Sequence, residues 1–209
     1  MIRTFLRILL DTFFPPSEHG KWLRRITPVD FLTHYNPTSI DGVIALAPYQ
    51  SRSVQAAVAA GKFENNHHAA QLLAPLFTRW LTLHPTSGLT VLIPVPLSTK
   101  RENERQFNQV TRVLSYLPPS EHYQIQTNWL VRSIDTNRQT SLDRAKRLKN
   151  MTGAFTATSS LQHASWRGVS RIILCDDVIT TGATLKAAHT VLRKHIPKNV
   201  EVLCIAWAH

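Results

Sequence analysis

Residues 173–185 read ILCDDVITTGATL, and this stretch decides how the rest of the chain is interpreted. An apolar run typical of a buried strand ends in two adjacent carboxylates, Asp176 and Asp177. A short polar loop follows, and a helical pattern begins directly after it. This order of strand, loop and helix is typical of α/β proteins, in which ligands bind beyond the carboxyl ends of parallel strands.

The loop is suited to a phosphate group. It consists of Thr180, Thr181, Gly182, Ala183 and Thr184. Small side chains let backbone N–H groups converge on an anion, the glycine can take a positive φ, and the helix N-terminus adds partial positive charge. The upstream carboxylates would repel a phosphate, so they suit the hydroxyls of an attached sugar, or a Mg²⁺ ion. The loop therefore predicts a sugar phosphate ligand. The alternative is a simple helix cap beside a solvated strand end.

Strand and helix patterns alternate along the rest of the chain. Strands are predicted at 41–47, 89–96, 170–175 and 200–207, and helices at 66–83, 107–117 and 184–195, the first of these helices interrupted by Pro75. The alternation predicts an α/β fold with a mainly parallel sheet flanked by helices.

The first 40 residues differ from this pattern. Apolar residues at helical spacing predict a helix at 2–14, and the Pro-rich, polar residues 15–40 are typical of a connector. We therefore expect an N-terminal extension over residues 1–40 and one α/β domain over residues 41–209.

Composition excludes several classes of protein. Of 209 residues 43% are hydrophobic, which is enough for a core and excludes global disorder. The two cysteines, Cys175 and Cys204, form no CxxC pair, so neither a disulfide framework nor a zinc finger is expected. The scattered glycines exclude the GxGxxG, GxxxxGK[ST] and GxSxG motifs. No apolar run approaches the roughly 20 residues of a membrane span, and the start lacks a signal-peptide cleavage site, so a cytoplasmic protein is expected.

The net charge of +11 favours a polyanionic partner. It arises from 24 Lys and Arg against 13 Asp and Glu, and residues 100–149 hold ten of the basic residues and five of the acids. Nucleic acid, anionic lipid or a multiply phosphorylated small molecule would fit, and the alternative is a solvated basic face. The aromatic residues of this block are spread out rather than paired with arginine, which disfavours base stacking.

Residues 173–185 resemble the phosphoribosyl-pyrophosphate signature of type I phosphoribosyltransferases. More narrowly, the chain resembles the ComF family, the phosphoribosyltransferase-like proteins linked to natural competence. The similar segments are LLDTFFPP at 9–16, Tyr49, Lys62-Phe63, IPVPLS at 93–98, the group Arg105, Phe107, Asn108 and Gln109, and the spaced residues Arg132, Gln139, Thr140, Leu142, Arg147, Asn150 and Gly153-Ala154-Phe155. The resemblance implies a type I phosphoribosyltransferase fold in which the N-terminal extension forms a small hood.

The resemblance also implies an activity, Mg²⁺-dependent transfer of a phosphoribosyl group from phosphoribosyl pyrophosphate to an unknown nitrogen acceptor. Asp176 and Asp177 would then be the catalytic residues at the ribose, and the loop 180–184 would hold its 5-phosphate. Mg²⁺ would arrive with the substrate, with a further contact to the two aspartates as an option. The pyrophosphate would meet Lys100, Arg101 and Arg105, and a flexible cover would carry Arg132, Arg144 and Arg147. Each of these basic residues has the alternative of a solvated surface side chain.

A second function is compatible with the same resemblance. The chain would then be a non-catalytic accessory module in DNA uptake that binds a nucleotide, single-stranded DNA or a competence helicase. A sensor of phosphoribosyl pyrophosphate is a third, weaker reading.

The chain departs from the family pattern at two places. Residues 15–40 contain no cysteine where members commonly carry a zinc site, so no structural zinc is expected. Gln106 stands where the family usually has glycine, and glutamine resists a positive φ, so this loop is expected to differ in shape or in ligand.

Overall fold

The computed structural model describes residues 22–133 and 153–209. The strands are β1 (Thr38–Ile40), β2 (Val43–Ala47), β3 (Leu89–Pro94), β4 (Tyr123–Ile125), β5 (Leu130–Arg132), β6 (Phe155–Ala157), β7 (Val169–Val178) and β8 (Glu201–Ala208). The helices are α1 (Pro28–Phe31), α2 (Arg52–Phe63), α3 (His67–Leu83), α4 (Thr99–Arg105), α5 (Gln109–Leu114), α6 (Ser159–Gln162) and α7 (Ala183–Arg193), and a 3₁₀ turn spans Leu32–His34.

Six of these strands form one twisted sheet, in the order β1-β2-β8-β7-β3-β4. β1 pairs antiparallel with β2, and every other neighbouring pair in this sheet is parallel. The four strands predicted from the sequence are the central ones, β2, β8, β7 and β3. The expectation of an α/β fold with a mainly parallel sheet and flanking helices is therefore confirmed.

The sheet separates two apolar layers. On β7, Ile173 contributes to the layer under α2, α3 and α5, whereas Ile172 and Leu174 contribute to the layer under α7 and the β5–β6 pair. Successive strand residues point to opposite faces, so a strand covered on both sides needs an unbroken apolar run. Each fully buried Leu or Ile stabilises the fold by about 1.5–3 kcal/mol.

Helix α3 runs through Pro75 without a break, so the predicted interruption was wrong. Proline costs a helix interior about 3 kcal/mol because it removes one hydrogen bond and crowds the preceding turn. Burial of Leu72, Leu76, Phe77 and Trp80 on one face of α3 outweighs that cost.

The described part of the connector packs onto the sheet domain. Leu23 and Phe31 are fully buried in the same layer as α2 and α3. Thr27 and Asp30 cap α1 reciprocally, because each side chain accepts from the other residue's backbone N–H. The helix expected at 2–14 lies outside the described residues, and the boundary at residue 40 stays a prediction.

In residues 22–133 and 153–209, no helix is long and apolar enough to cross a membrane.

The carboxyl ends of β2, β8, β7 and β3 point to the same edge of the sheet, because these strands are parallel. The segments that follow β2, β3, β7 and β8 leave from that edge, and each of them contributes to the candidate site.

Candidate functional site

A cavity of about 490 Å³ lies at the carboxyl ends of the central strands. Six segments of the chain form its walls: the turn after β2, the end of α2, the segment from β3 to the start of α5, the end of β5, the end of β7 with the loop that follows it, and the residue after β8. Its polar and charged lining residues are Tyr49, Lys62, Arg101, Arg105, Gln109, Arg132, Asp176, Asp177, Thr180, Thr184 and His209. Carboxylates and arginines therefore share one concave space.

Asp177 is held by three donors. Lys62 Nζ lies 2.5 Å from Asp177 Oδ2, and Gln109 Nε2 donates to the same oxygen at 2.9 Å. The backbone N–H of Val178 donates to Oδ1 at 2.8 Å. Burial by itself raises the pKa of Asp177, but the Lys62 ammonium and these hydrogen bonds outweigh it and hold the pKa below its ordinary value.

Asp176 lies in a different environment, although it is the next residue. Its Oδ1 accepts from the backbone N–H of Asp177 at 2.8 Å. Burial, together with the adjacent negative charge of Asp177, raises the pKa of Asp176 to about 7. The two carboxylates therefore differ in charge near neutral pH, with Asp177 ionised and Asp176 partly protonated.

The loop after β7 has the conformation that its sequence predicts. Gly182 takes φ +66° immediately before α7, and its carbonyl accepts from Lys186 N at 2.9 Å. Thr180 and Thr184 line the cavity, whereas Thr181 and Gly182 form the bend between them and Ala183 begins α7. Thr181 Oγ1 accepts from the Ala183 N–H at 3.4 Å. The N-terminus of the 11-residue helix α7 begins at this turn.

The basic residues predicted for the pyrophosphate divide into two groups. Arg101 and Arg105 line the cavity, and Lys100 is exposed on α4 outside the lining. All three residues lie on a helix, because α4 begins at Thr99, soon after β3 ends. Neighbouring residues on a helix project about 100° apart, so Lys100 and Arg101 face different directions. Arg105 Nη1 donates to Gln109 Oε1 at 3.1 Å, and Gln109 thereby links Arg105 to Asp177.

The backbone at Gln106 is left-handed, the conformation that glutamine was expected to resist. Its φ is +61° and its backbone N–H donates to the Glu102 carbonyl at 2.7 Å, which ends α4 in a left-handed turn. The Gln106 side chain donates to Asn103 O at 2.7 Å and secures the same turn. Glutamine thus does not prevent a glycine-like backbone here, contrary to the expectation. After this turn Asn108 caps α5, because its side chain accepts from the N–H groups of Val110 and Thr111.

Arg132 lies on a strand at the base of the predicted cover. It is 8% exposed at the end of β5, which bridges to Ser98, and its guanidinium lies 5.6 Å from the centre of the Phe155 ring. Arg144 and Arg147 lie outside the described residues.

His67, His68 and the two cysteines have contacts of a structural kind. His67 hydrogen-bonds Tyr116 and Arg112, and His68 contacts the carbonyl of Leu23. Burial raises the pKa of Cys204 to about 12 and that of Cys175 well above its usual range, so both thiols are packed and protonated. No three His, Cys, Asp or Glu side chains in residues 22–133 and 153–209 are placed to hold a metal ion.

Sequence reasoning did not predict that four further residues line the cavity. Lys62 and Gln109 were noted only within family-like segments, and Tyr49 and His209 were given no role at a cavity. The signal was weak, because Lys62 lies 115 residues and Gln109 lies 68 residues from Asp177 along the chain.

The chain is similar to curated proteins whose names refer to competence and to DNA utilization. It is 32% identical over 117 residues to "Competence protein F" of Haemophilus influenzae, which covers 56% of this chain and 50% of that protein. It is 37% identical over 106 residues to "Competence protein ComFC" of Bacillus subtilis, which covers 50% of this chain and 39% of that protein. It is 28% identical over 148 residues to "DNA utilization protein YhgH" of Escherichia coli, which covers 69% of this chain and 63% of that protein.

The matched region thus spans half the length of the first relative and 39% of the length of the second. No protein-family model matches the chain. The names of these relatives and the motifs at 93–98, 105–109 and 173–185 support membership of the ComF family.

Proposed function

We propose that this chain has the type I phosphoribosyltransferase fold and binds phosphoribosyl pyrophosphate in the 490 Å³ cavity. One observation carries the proposal: the acidic pair and the Thr180–Thr184 loop lie on one wall, and Arg101, Arg105 and Arg132 line the same space. A sugar with a phosphate at one end and a diphosphate at the other needs that distribution of charge.

The cavity residues suit transfer of the phosphoribosyl group. In that reaction the bond between ribose C1 and a pyrophosphate oxygen breaks, a bond from C1 to the acceptor nitrogen forms, and the nitrogen releases a proton to solvent. Positive charge develops on the sugar, as in glycoside cleavage, while negative charge grows on the leaving pyrophosphate. Arginines stabilise the leaving group, and Asp176 accepts hydrogen bonds from the ribose hydroxyls.

The acidic pair does not suit direct binding of Mg²⁺. Both oxygens of Asp177 and Oδ1 of Asp176 already accept hydrogen bonds. When bound with the substrate, the ion would neutralise pyrophosphate charge. The protein's own contribution there is the arginine group.

The acceptor would enter from the side of β2 and β8. Pyrophosphate would lie toward the arginines that follow β3, and in-line displacement places the incoming nitrogen on the opposite face of C1. Tyr49 follows β2 and His209 follows β8, on the other side of β7 from β3, and both residues line the cavity. The chemical identity of the acceptor stays open.

Calorimetric titration of the purified chain tests the proposal. Phosphoribosyl pyrophosphate should bind in a Mg²⁺-dependent manner and more tightly than ribose 5-phosphate. Arg105→Gln should weaken binding of phosphoribosyl pyrophosphate by about ten-fold and leave ribose 5-phosphate within about two-fold, because the lost group is a charge-assisted donor. Arg167→Gln is the matched control, since Arg167 is exposed just before β7 at the opposite end of the strand. Absence of binding for both sugars would refute the proposal.

A second candidate function is an accessory role in DNA uptake, and arginine–aromatic pairs favour it. The Arg112 guanidinium lies 5.2 Å from the Phe107 ring centre, and that of Arg105 lies 5.7 Å from the ring of Phe63, which is 64% exposed. The sequence-based expectation that Phe107 is not paired with an arginine was therefore wrong. Phe107 and Arg112 line a second cavity of about 600 Å³ that shares Arg132 with the first. Single-stranded nucleic acid is bound by such combinations of cations and aromatic faces.

This second candidate agrees with the names of the relatives. A cytoplasmic location and a helicase partner stay predictions.

Fluorescence anisotropy of labelled oligothymidylate at rising salt measures the affinity for single-stranded DNA. Phosphate contacts give a linear fall of log affinity with log salt. Phe107→Leu with Arg112→Gln should weaken binding about ten-fold through lost stacking. Substitution of the two aspartates should leave it unchanged. No retention of the oligonucleotide at low salt would exclude this role.

A further inference from the structure

Lys62 is positioned as a cation at the acidic pair. It lies in the last turn of α2, and its side chain and that of Asp177 are 22% and 15% exposed. Helix α2 is anchored by the buried residues Val54, Ala57, Val58 and Ala60 in the layer next to the sheet. The ammonium is therefore placed by a packed helix.

The hydrogen bonds of the pair leave little room for a second cation. Three of the four carboxylate oxygens accept from Lys62, Gln109 and two backbone N–H groups. Asp176 lines the cavity, and its side chain lies beside that of Asp177. A divalent ion that approached Asp177 would have to displace the ammonium, or would be repelled by it at close range.

Neighbouring groups extend this arrangement. Gln109 donates to Asp177 through its amide nitrogen and accepts from Arg105 through its amide oxygen. The amide is thus oriented by two charged partners, and it keeps Asp177 turned toward Lys62. Asp176 is the carboxylate of the pair that can face a ligand.

We propose that Lys62 takes the place of a divalent metal ion at the acidic pair, so that Asp176 can receive the hydroxyls of a sugar phosphate without bound metal. Lys62 is a positioning residue that acts through Asp177. The identity of the sugar phosphate rests on the proposed function, whereas the assignment of Lys62 does not. Any Mg²⁺ requirement would then belong to the diphosphate part of the ligand alone.

Binding of Mn²⁺, a paramagnetic probe for Mg²⁺ sites, tests the assignment on the free protein by electron paramagnetic resonance. The full chain should bind no stoichiometric Mn²⁺ at the pair. Lys62→Met should gain one equivalent, at least about ten-fold tighter than in the full chain, since a positive charge next to the carboxylates is removed. Adding Asp177→Asn to Lys62→Met should abolish that gain. Lys198→Met, an exposed lysine far along the chain, is the control and should change nothing.

A second measurement needs no variant. Ribose 5-phosphate should bind the unaltered chain with the same affinity, within about two-fold, in Mg²⁺ and in chelator, because no metal is needed at the sugar. A stoichiometric Mn²⁺ site in the unaltered chain that Asp177→Asn removes would overturn the assignment. The assignment would also be overturned if a folded Lys62→Met variant bound no additional Mn²⁺, or if binding of ribose 5-phosphate required Mg²⁺. If neither sugar phosphate binds but the Mn²⁺ pattern appears, the proposed function fails and the role of Lys62 stands.

Discussion

The cavity lies between two segments that use the same backbone conformation with different residues. After β7, the chain enters helix α7 through Gly182, whose φ is +66°. After β3, the chain leaves helix α4 through Gln106, whose φ is +61°. Glycine takes this conformation without steric cost, whereas glutamine is strained in it. The carboxylate side of the cavity is therefore conformationally relaxed, and the arginine side carries strain of the kind found near ligand sites.

The largest expected effect concerns the relaxed side. Asp176→Asn with Asp177→Asn should weaken binding of phosphoribosyl pyrophosphate by about 100-fold or more, because the proposed ribose acceptor Asp176 and the anionic partner of Lys62 are both lost. Calorimetric titration measures the change. An unchanged affinity would mean that the arginine segment alone holds the ligand, and the contrast between the two sides would lose its functional meaning.

The protonation of Asp176 gives a stability effect with a defined sign. The pKa of Asp176 is raised to about 7 in the folded chain, so between about pH 4 and pH 7 the folded state holds a proton that the unfolded state has released. The free energy of unfolding should fall across this window as pH rises.

Asp176→Asn removes this pH-dependent loss while Asn can still accept from the Asp177 N–H. The variant should be more stable than the parent by about 1–2 kcal/mol at pH 8 and nearly equal to it at pH 4. Urea unfolding at the two pH values measures the difference. A variant that is less stable at pH 8 would mean that the Asp176 carboxylate is not destabilised by its surroundings.

Gly182→Ala tests the relaxed turn directly. A Cβ at Gly182 would meet nothing closer than 3.6 Å, so the expected loss of about 1 kcal/mol comes from the positive φ alone. Gly61→Ala is the matched control, since Gly61 lies within helix α2 with open space around it and should gain up to about 1 kcal/mol. Thermal unfolding of both variants would reveal whether the two glycines differ as described.

The smallest expected effect is on the strained side. Gln106→Gly should stabilise the chain by about 0.5–1 kcal/mol, because relief of the left-handed strain exceeds the added flexibility of the unfolded chain. Gln106→Ala keeps a Cβ and should give no gain. Equal stability of the glycine and alanine variants would show that Gln106 is not strained, and the two segments would then be equivalent.

The sequence predicted the central fold because the central strands carry unbroken apolar runs. β1, β4, β5 and β6 are only three residues long, too short for an alternating pattern to be recognised. Helix α2 was not predicted at all, because its buried face consists largely of alanines, which give a weak hydrophobic signal. Pro75 was taken as an interruption because local propensity cannot register the burial that compensates for it.

The candidate site likewise contains residues that the local sequence predicts and residues that only packing brings together. Asp176, Asp177 and the loop at 180–184 are consecutive in sequence, so their chemistry could be predicted from local order alone. Lys62 and Gln109 reach Asp177 only through packing of α2 and α5 against the sheet. The opposite pKa shifts of two adjacent aspartates depend on those distant partners, and no local pattern distinguishes one carboxylate from the other.

The amide of Gln109 has a consequence for how substitutions combine. It hydrogen-bonds Arg105 on one side and Asp177 on the other, so the two walls of the cavity share one orientable group. Residues in one hydrogen-bond network typically show interaction energies of about 0.5–3 kcal/mol in double-mutant cycles. Arg105→Gln and Asp177→Asn should therefore be non-additive in the free energy of unfolding, and Gln109→Leu should abolish that coupling. Under the proposed function, the leaving-group side and the ribose side of this cavity would respond to substitution as one thermodynamic unit.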